Sequence, residues 1–149
     1  MIRIAVGAII TYRKRFLIVH KTKINTTHGK KNINGEWDFV KGGVQSSDSS
    51  LKDAILRELK EETGCSDFEV VKQFDEKLCF DFPRQVQSTI GYRKQETTMF
   101  HVEYVGDMEY LQPSDTEISA IEIVDRDTLL LLLTHSNTRN FFNNHFEMR

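Results

Sequence analysis

Apolar residues occupy every second position at the start of the chain, at Ile2, Ile4, Val6, Ala8 and Ile10. That period of two predicts a strand. Arg13-Lys14 predicts a polar turn, and the run FLIVH (16–20) a second, more fully apolar strand. The polar and basic stretch 21–34 predicts a long surface loop. Residues 35–43, GEWDFVKGG, read as a short strand running into a glycine turn. Leu51, Ile55 and Leu59, with Ala54 beside them, form the apolar stripe of a helix over 51–62, closed by Gly64 just past its end. Runs at 68–74, 78–82, 97–105 and 118–124 predict further strands, with a polar loop at 83–96. A leucine run after Asp127 predicts a helix, and 138–146 another helical piece. Strands, an inserted helix, more strands and closing helices predict a mixed α/β (α+β) layered fold. No repeat or low-complexity linker breaks the chain, so residues 1–149 are expected to form one domain.

Composition narrows the function. Twenty basic and 22 acidic residues give a net charge of −2. That balance supplies no general attraction for nucleic acid or anionic membranes, although a local nucleotide site needs only local charge. Cys65 and Cys79 form no C-x-x-C pair and have no histidine near them in sequence, which argues against zinc. Two lone cysteines fit a reducing compartment. The N-terminal apolar run is too short to span a bilayer and lacks a cleavage site, so a cytoplasmic protein with no membrane partner is expected.

The helix over 51–62 carries an electrostatic anomaly. Glu58 lies three residues from Glu61 and four from Glu62, so the three carboxylates share one edge of the apolar stripe. They crowd the C-terminal end, where the helix dipole disfavours each negative charge by ~0.3–1 kcal/mol. Like charges four apart add about 0.2–0.5 kcal/mol. A hard divalent cation would reverse both penalties, because Mg²⁺ prefers oxygen ligands. The plainer alternative is a solvated glutamate face neutralised by Arg57 and Lys60.

The surrounding pattern resembles the Nudix box. Gly43 opens it, Arg57-Glu58-Leu59-Lys60-Glu61-Glu62-Thr63-Gly64 continues it without a gap, and Cys65 takes the final apolar position. One position departs: the first Glu of the box falls on Ser49, with Asp48 adjacent and able to supply a carboxylate after a one-residue shift. The strand order also resembles the Nudix fold, a mixed β-sheet sandwiched between α-helices.

The resemblance implies hydrolysis of a pyrophosphate bond in a nucleoside polyphosphate, with Mg²⁺ or Mn²⁺ as cofactor. Glu58, Glu61, Glu62 and the backbone of Gly42 would be metal ligands, with Glu58 also the orienting or base residue. Arg57 would hold the carboxylates by a bidentate ion pair. The segment WDFVKGG is similar to the W-x-x-P-K-G segment of Nudix enzymes acting on dinucleoside polyphosphates and RNA 5′-triphosphate ends, with Val40 in the proline position. Within it Lys41 would reach a substrate phosphate. Glu117, in SDTEISAIEIVD, matches a Glu outside the box that meets the metal cluster. Tyr92, Arg93 and Lys94 are candidate phosphate or base contacts, and Trp37 and Phe39 candidate base-stacking residues. The alternatives are a house-cleaning nucleoside triphosphate pyrophosphatase and a Nudix-fold module that binds a nucleotide without cleaving it. The sequence leaves oligomeric state open.

Overall fold

The computed structural model describes residues 1–148. Strand β1 (Ile2–Tyr12) is its centre. It turns through Arg13 and Lys14, both at positive φ (48° and 66°), into β2 (Arg15–Thr26). Two left-handed residues in a two-residue turn match the twist of the flanking strands. β1 and β2 pair only near this turn, through Ile10↔Leu17, Thr11↔Phe16 and Tyr12↔Arg15. Beyond it they part. β3 (Gly29–Asp38) runs antiparallel along β2, and β4 (Val40–Gly43) antiparallel along β1. β6 (Lys94–Tyr104) lies parallel along the other edge of β1 and pairs antiparallel with β5 (Phe68–Asp81). β7 (Ile118–Val124) runs antiparallel to β2.

Both faces of the sheet are covered, which explains why β1 is buried at odd as well as even positions from Ala5 to Thr11. Val6, Ala8 and Ile10 pack with Leu17, Val19 and Val40 against α1 (Leu51–Thr63), through Ala54, Ile55 and Leu59. Ile9, Phe16, Ile18 and Phe39 point the other way. They pack on α3 (Arg126–Leu132) and α4 (Ser136–His145) through Leu129, Leu133, Phe141 and Phe142. The expected α+β sandwich is therefore observed.

Three stretches depart from the expectation. Residues 21–34 are a β-ribbon, not a loop: β2 continues to Thr26 and β3 starts at Gly29. Gly29, at φ 108°, makes the tight reversal, and the Thr26 hydroxyl donates to the Gly29 carbonyl at 2.6 Å. Residues 83–96 hold a short helix, α2 (Arg84–Ile90), ended by Gly91 at φ 89°. The runs at 68–74 and 78–82 are one strand, β5, with pairing irregularities at Val70/Lys72 and Gln73/Lys77.

The helix that carries the carboxylates is fixed at both ends. The Ser50 hydroxyl caps its N-terminus by accepting from the Asp53 N–H at 3.0 Å. Gly64, at φ 75°, closes it with its N–H on the Lys60 carbonyl at 2.9 Å. Ser50→Ala is expected to cost about 0.5–2 kcal/mol of stability, the usual worth of an N-cap. Urea unfolding of the purified variant reads it.

Candidate active site

β4 and α1 meet at Gly42. A side chain at that position would run into the Glu58 carboxylate, with a Cβ only 2.0–2.3 Å from its atoms. A larger residue would push the Glu58 carboxylate out of place, and Glu58 lies directly against the β4 backbone. One turn on, Glu62 is 2 % exposed. Its Oε1 is buried without a hydrogen-bond partner among the described residues. Burial, with the neighbouring Glu58 and Asp115 charges, pushes the Glu62 carboxyl well above the usual range, against the pull of Lys21. Burial raises Glu58 as well, against the pull of Arg57. An ionisable oxygen left buried and unpaired costs free energy unless something binds it.

Arg57 organises the exposed side of this cluster. Its Nε donates to Asp48 Oδ1 at 2.8 Å and its Nη2 to Asp48 Oδ2 at 2.9 Å, a bidentate fork. Nη2 also donates to the Gly43 carbonyl at 3.0 Å. Nη1 donates to Glu58 Oε1 at 2.9 Å and reaches Glu61 Oε2 at 3.3 Å. One planar group thereby ties the glycine turn to two of the three carboxylates. Asp48 is itself held by the Gln45 N–H at 2.8 Å. The guanidinium and that N–H hold its carboxyl down at about 2, below its ordinary 3.8. Ser49 takes no part; its hydroxyl donates to Asp53 at the start of the helix. The carboxylate that the box lacks at Ser49 is present one residue earlier.

Glu117 stands on the loop entering β7. It ion-pairs with Lys30 of the ribbon at 3.4 Å, and its carbonyl accepts from the Thr22 N–H at 2.9 Å. Lys21, on the same ribbon, loses basicity to burial but is raised overall by Glu62, Asp38 and Glu117, so it stands within electrostatic reach of both site carboxylates. Asp115 bonds the Glu117 N–H at 2.9 Å, and the Ser114 N–H reaches the Glu62 carbonyl at 3.2 Å. The loop is therefore docked on the end of α1. An open groove of about 910 Å³ runs between α1 and this loop, lined by Arg57, Lys60, Glu61, Phe68 and Asp115.

Other sequence-predicted residues lie elsewhere. Lys41 points away from Glu58, because alternate residues of β4 face opposite sides of the sheet. Its ammonium is 3.1 Å from Asp38 and 3.1 Å from the Thr138 hydroxyl, with 7 % of the side chain exposed. Burial lowers its pKa in spite of Asp38. Phe39 is fully buried, packed on Phe142 at 6.2 Å, and has no face left for a base. That corrects the stacking expectation: with helices on both sides of the sheet, an alternating aromatic is core whichever way it points. Trp37 is half-buried against His20 at 4.8 Å. Tyr92, Arg93 and Lys94 sit at the α2–β6 junction, where the Arg93 N–H bonds the Met1 carbonyl at 2.9 Å and Lys94 pairs with Glu96 at 3.4 Å.

Asp115 and Lys21 were not anticipated. Lys21 has a legible signal, since it continues the alternation Leu17, Val19 on the face that packs α1. Asp115 has a weaker one, an Asp two residues before Glu117, the spacing of a side-chain turn.

A family model, NUDIX domain, matches residues 1–144. The chain belongs to the Nudix domain family. An RNA pyrophosphohydrolase from Bartonella bacilliformis is 28% identical to this Nudix chain over 108 residues, covering 70% of the chain and 63% of the relative. The match thus spans less than two thirds of that relative's length. In fold, the chain resembles the MutT protein from Methanosarcina mazei Go1 (TM-score 0.71, 23% identity, 95% of this chain and 91% of that one). It also resembles a C. elegans Ap4A hydrolase (TM-score 0.68, 12% identity, 95% and 93%). Among the described residues of this Nudix domain, no three His, Cys, Asp or Glu side chains converge as a formed metal centre. No helix among them is long and apolar enough to cross a membrane.

Proposed function

We propose that this Nudix chain hydrolyses a pyrophosphate bond of a nucleoside polyphosphate, with the triphosphorylated 5′ end of RNA as the favoured substrate and a dinucleoside polyphosphate second. The observation that carries the chemistry is the buried, unpartnered Oε1 of Glu62 beside Glu58, at the turn where Gly42 lets the backbone approach. A hard oxygen donor without a proton-bearing partner, as Glu62 Oε1 is, suits a hard divalent cation. Glu58, Glu61, Glu62 and the Gly42 carbonyl would hold Mg²⁺ or Mn²⁺, which supplies charge neutralisation on the polyphosphate and a more acidic bound water.

The chain's own residues do the positioning, which is most of the work in this class of reaction. Arg57 fixes Glu58 and the Gly43 carbonyl in one plane. Glu58, as a carboxylate, orients or deprotonates the attacking water. Glu117 is tied to Lys30 beside the end of α1, on a loop docked there by the Ser114 N–H on the Glu62 carbonyl. Lys21 offers a positive charge next to Glu62 for a phosphate oxygen. Lys41, turned to the other face and neutralised by Asp38, has a structural part in this account.

The preference for an RNA end rests on the similarity to the Bartonella RNA pyrophosphohydrolase. A panel separates it from the alternatives: a 5′-triphosphorylated oligonucleotide, a dinucleoside tetraphosphate and the single nucleoside triphosphates, each with Mg²⁺. The expected result is a kcat/KM at least about tenfold higher on the oligonucleotide. Preference for a single triphosphate would establish the house-cleaning reading. Tight binding without turnover of any member would establish a non-catalytic module.

A further inference from the structure

Charge is distributed unevenly along this chain. Residues 1–35 hold eight of the 20 Lys and Arg and none of the 22 Asp and Glu. Half of those eight, Lys21, Lys23, Lys30 and Lys31, lie on the β2–β3 ribbon. The overall charge of −2 conceals this local excess.

The fold turns the excess into a directed row. Register pairs Lys21 with Glu36, Lys23 with Asn32 and Ile24 with Lys31, with an irregularity between Lys21 and Lys23 whose two extra residues lie on β3, so the alternation along β2 is kept. Residues on one strand alternate faces, and paired residues share one. Lys21 and Lys23 therefore lie on the face that continues Leu17 and Val19 toward α1. Lys30 joins that side, since its ammonium reaches Asp115 and Glu117 at 3.5 and 3.4 Å. Lys31 is on the opposite face, with Ile24. The row begins beside the site, where the N–H of Thr22, next to Lys21, bonds the Glu117 carbonyl at 2.9 Å, and runs outward along the ribbon. At its tip the Thr27 N–H bonds the Thr89 carbonyl at 2.9 Å, which sets the ribbon against α2 next to Tyr92, Arg93 and Lys94. Among the described residues, Lys23 and Lys31 form no ion pair. Among the described residues, none of the exposed large apolar side chains lies on the ribbon.

We propose that the box-facing side of the β2–β3 ribbon is a single-stranded RNA contact. It would hold the phosphates downstream of the 5′ end while the end itself lies at Glu58 and Glu62. This rests on the RNA-end reading above. Lysine spacing along a strand, about 6–7 Å between alternate residues, suits successive backbone phosphates. Electrostatic contacts of this kind are independent of base sequence and weaken with salt.

The test is fluorescence anisotropy of the full chain with labelled oligonucleotides of two and ten nucleotides, each with a 5′-triphosphate or a 5′-hydroxyl. Salt is titrated for wild type, Lys23→Glu and Lys31→Glu. Wild type is expected to bind the ten-nucleotide strand at least about tenfold tighter than the dinucleotide. Lys23→Glu is expected to weaken the longer strand by about fivefold or more and to flatten its salt slope by roughly 0.7, the loss of one single-strand phosphate contact. Its dinucleotide affinity stays unchanged. Lys31→Glu makes the same charge change on the wrong face and is expected to shift the affinity by less than about twofold. Equal affinity for both lengths in wild type, or equal losses in the two variants, would overturn the ribbon contact. A tight, Lys23-dependent ten-nucleotide complex that gains nothing from the 5′-triphosphate would support the contact while sinking the RNA-end reading.

Discussion

Glu62→Gln is expected to lower turnover by about 10²–10³-fold while making the metal-free protein more stable. The two effects have one cause. Glu62 is 2 % exposed, and its Oε1 has no hydrogen-bond partner among the described residues. A buried carboxylate oxygen without a donor opposes folding. Glutamine keeps the shape and removes the charge, and a single stabilising substitution commonly adds about 0.5–2 kcal/mol. A domain of this size would then melt a few degrees higher. The same substitution removes an anionic oxygen from the proposed cation site, where charge stabilisation carries most of the rate. Differential scanning fluorimetry without divalent metal, with turnover measured in parallel, reads both effects. A variant that loses stability and keeps its activity would show that Glu62 is an ordinary structural carboxylate.

Asp48→Ala is expected to reduce kcat/KM by about 10–100-fold, the usual cost of losing a group that orients a site's ligands. Asp48 occupies two of the five Arg57 donors, and without it Nε and part of Nη2 are left unpaired beside Glu58. Ser49→Glu, by contrast, is expected to change kcat/KM by less than about threefold, because Ser49 faces Asp53 and the Arg57 fork is already filled. The opposite pattern, a silent Asp48→Ala and a strongly activating Ser49→Glu, would mean that the box had truly lost its supporting carboxylate. Acid unfolding supplies an independent readout. The Asp48 carboxyl lies at about 2 in the fold against an ordinary 3.8. A depressed carboxyl stabilises the fold above its unfolded pKa and ceases to as the pH falls through the folded one. The stability difference between wild type and Asp48→Asn should therefore persist at neutral pH and close between about pH 3.8 and 2.

Some of this was legible in the sequence for physical reasons, and some was not. The box helix declares itself by its stripe, its glycine stop and carboxylates that no isolated helix would crowd at its C-terminal end. The ribbon at 21–34 does not. Its lysines, asparagines and glycines have poor strand propensity, and it is a strand because the backbone ladder along β2 continues past the core. Helix α2 escaped because none of its seven residues is buried, so it has no apolar stripe to read. Phe39 was misassigned because alternation shows that two faces differ, not that both are covered. Asp48 was partly visible, adjacent to a mismatch, but only the Arg57 fork shows which of the two neighbours takes the role.

In the proposed reaction Glu58, Glu61 and Glu62 would hold the divalent cation at which a polyphosphate is hydrolysed. The most direct measurement is phosphate and pyrophosphate release from a 5′-triphosphorylated oligonucleotide as Mg²⁺ is titrated, for wild type and Glu61→Gln. The account predicts turnover that rises saturably with Mg²⁺, stops on chelation, and falls at least about tenfold in the variant at every Mg²⁺ concentration. Turnover that ignores chelation, or a Glu61→Gln variant matching wild type throughout the titration, would contradict it.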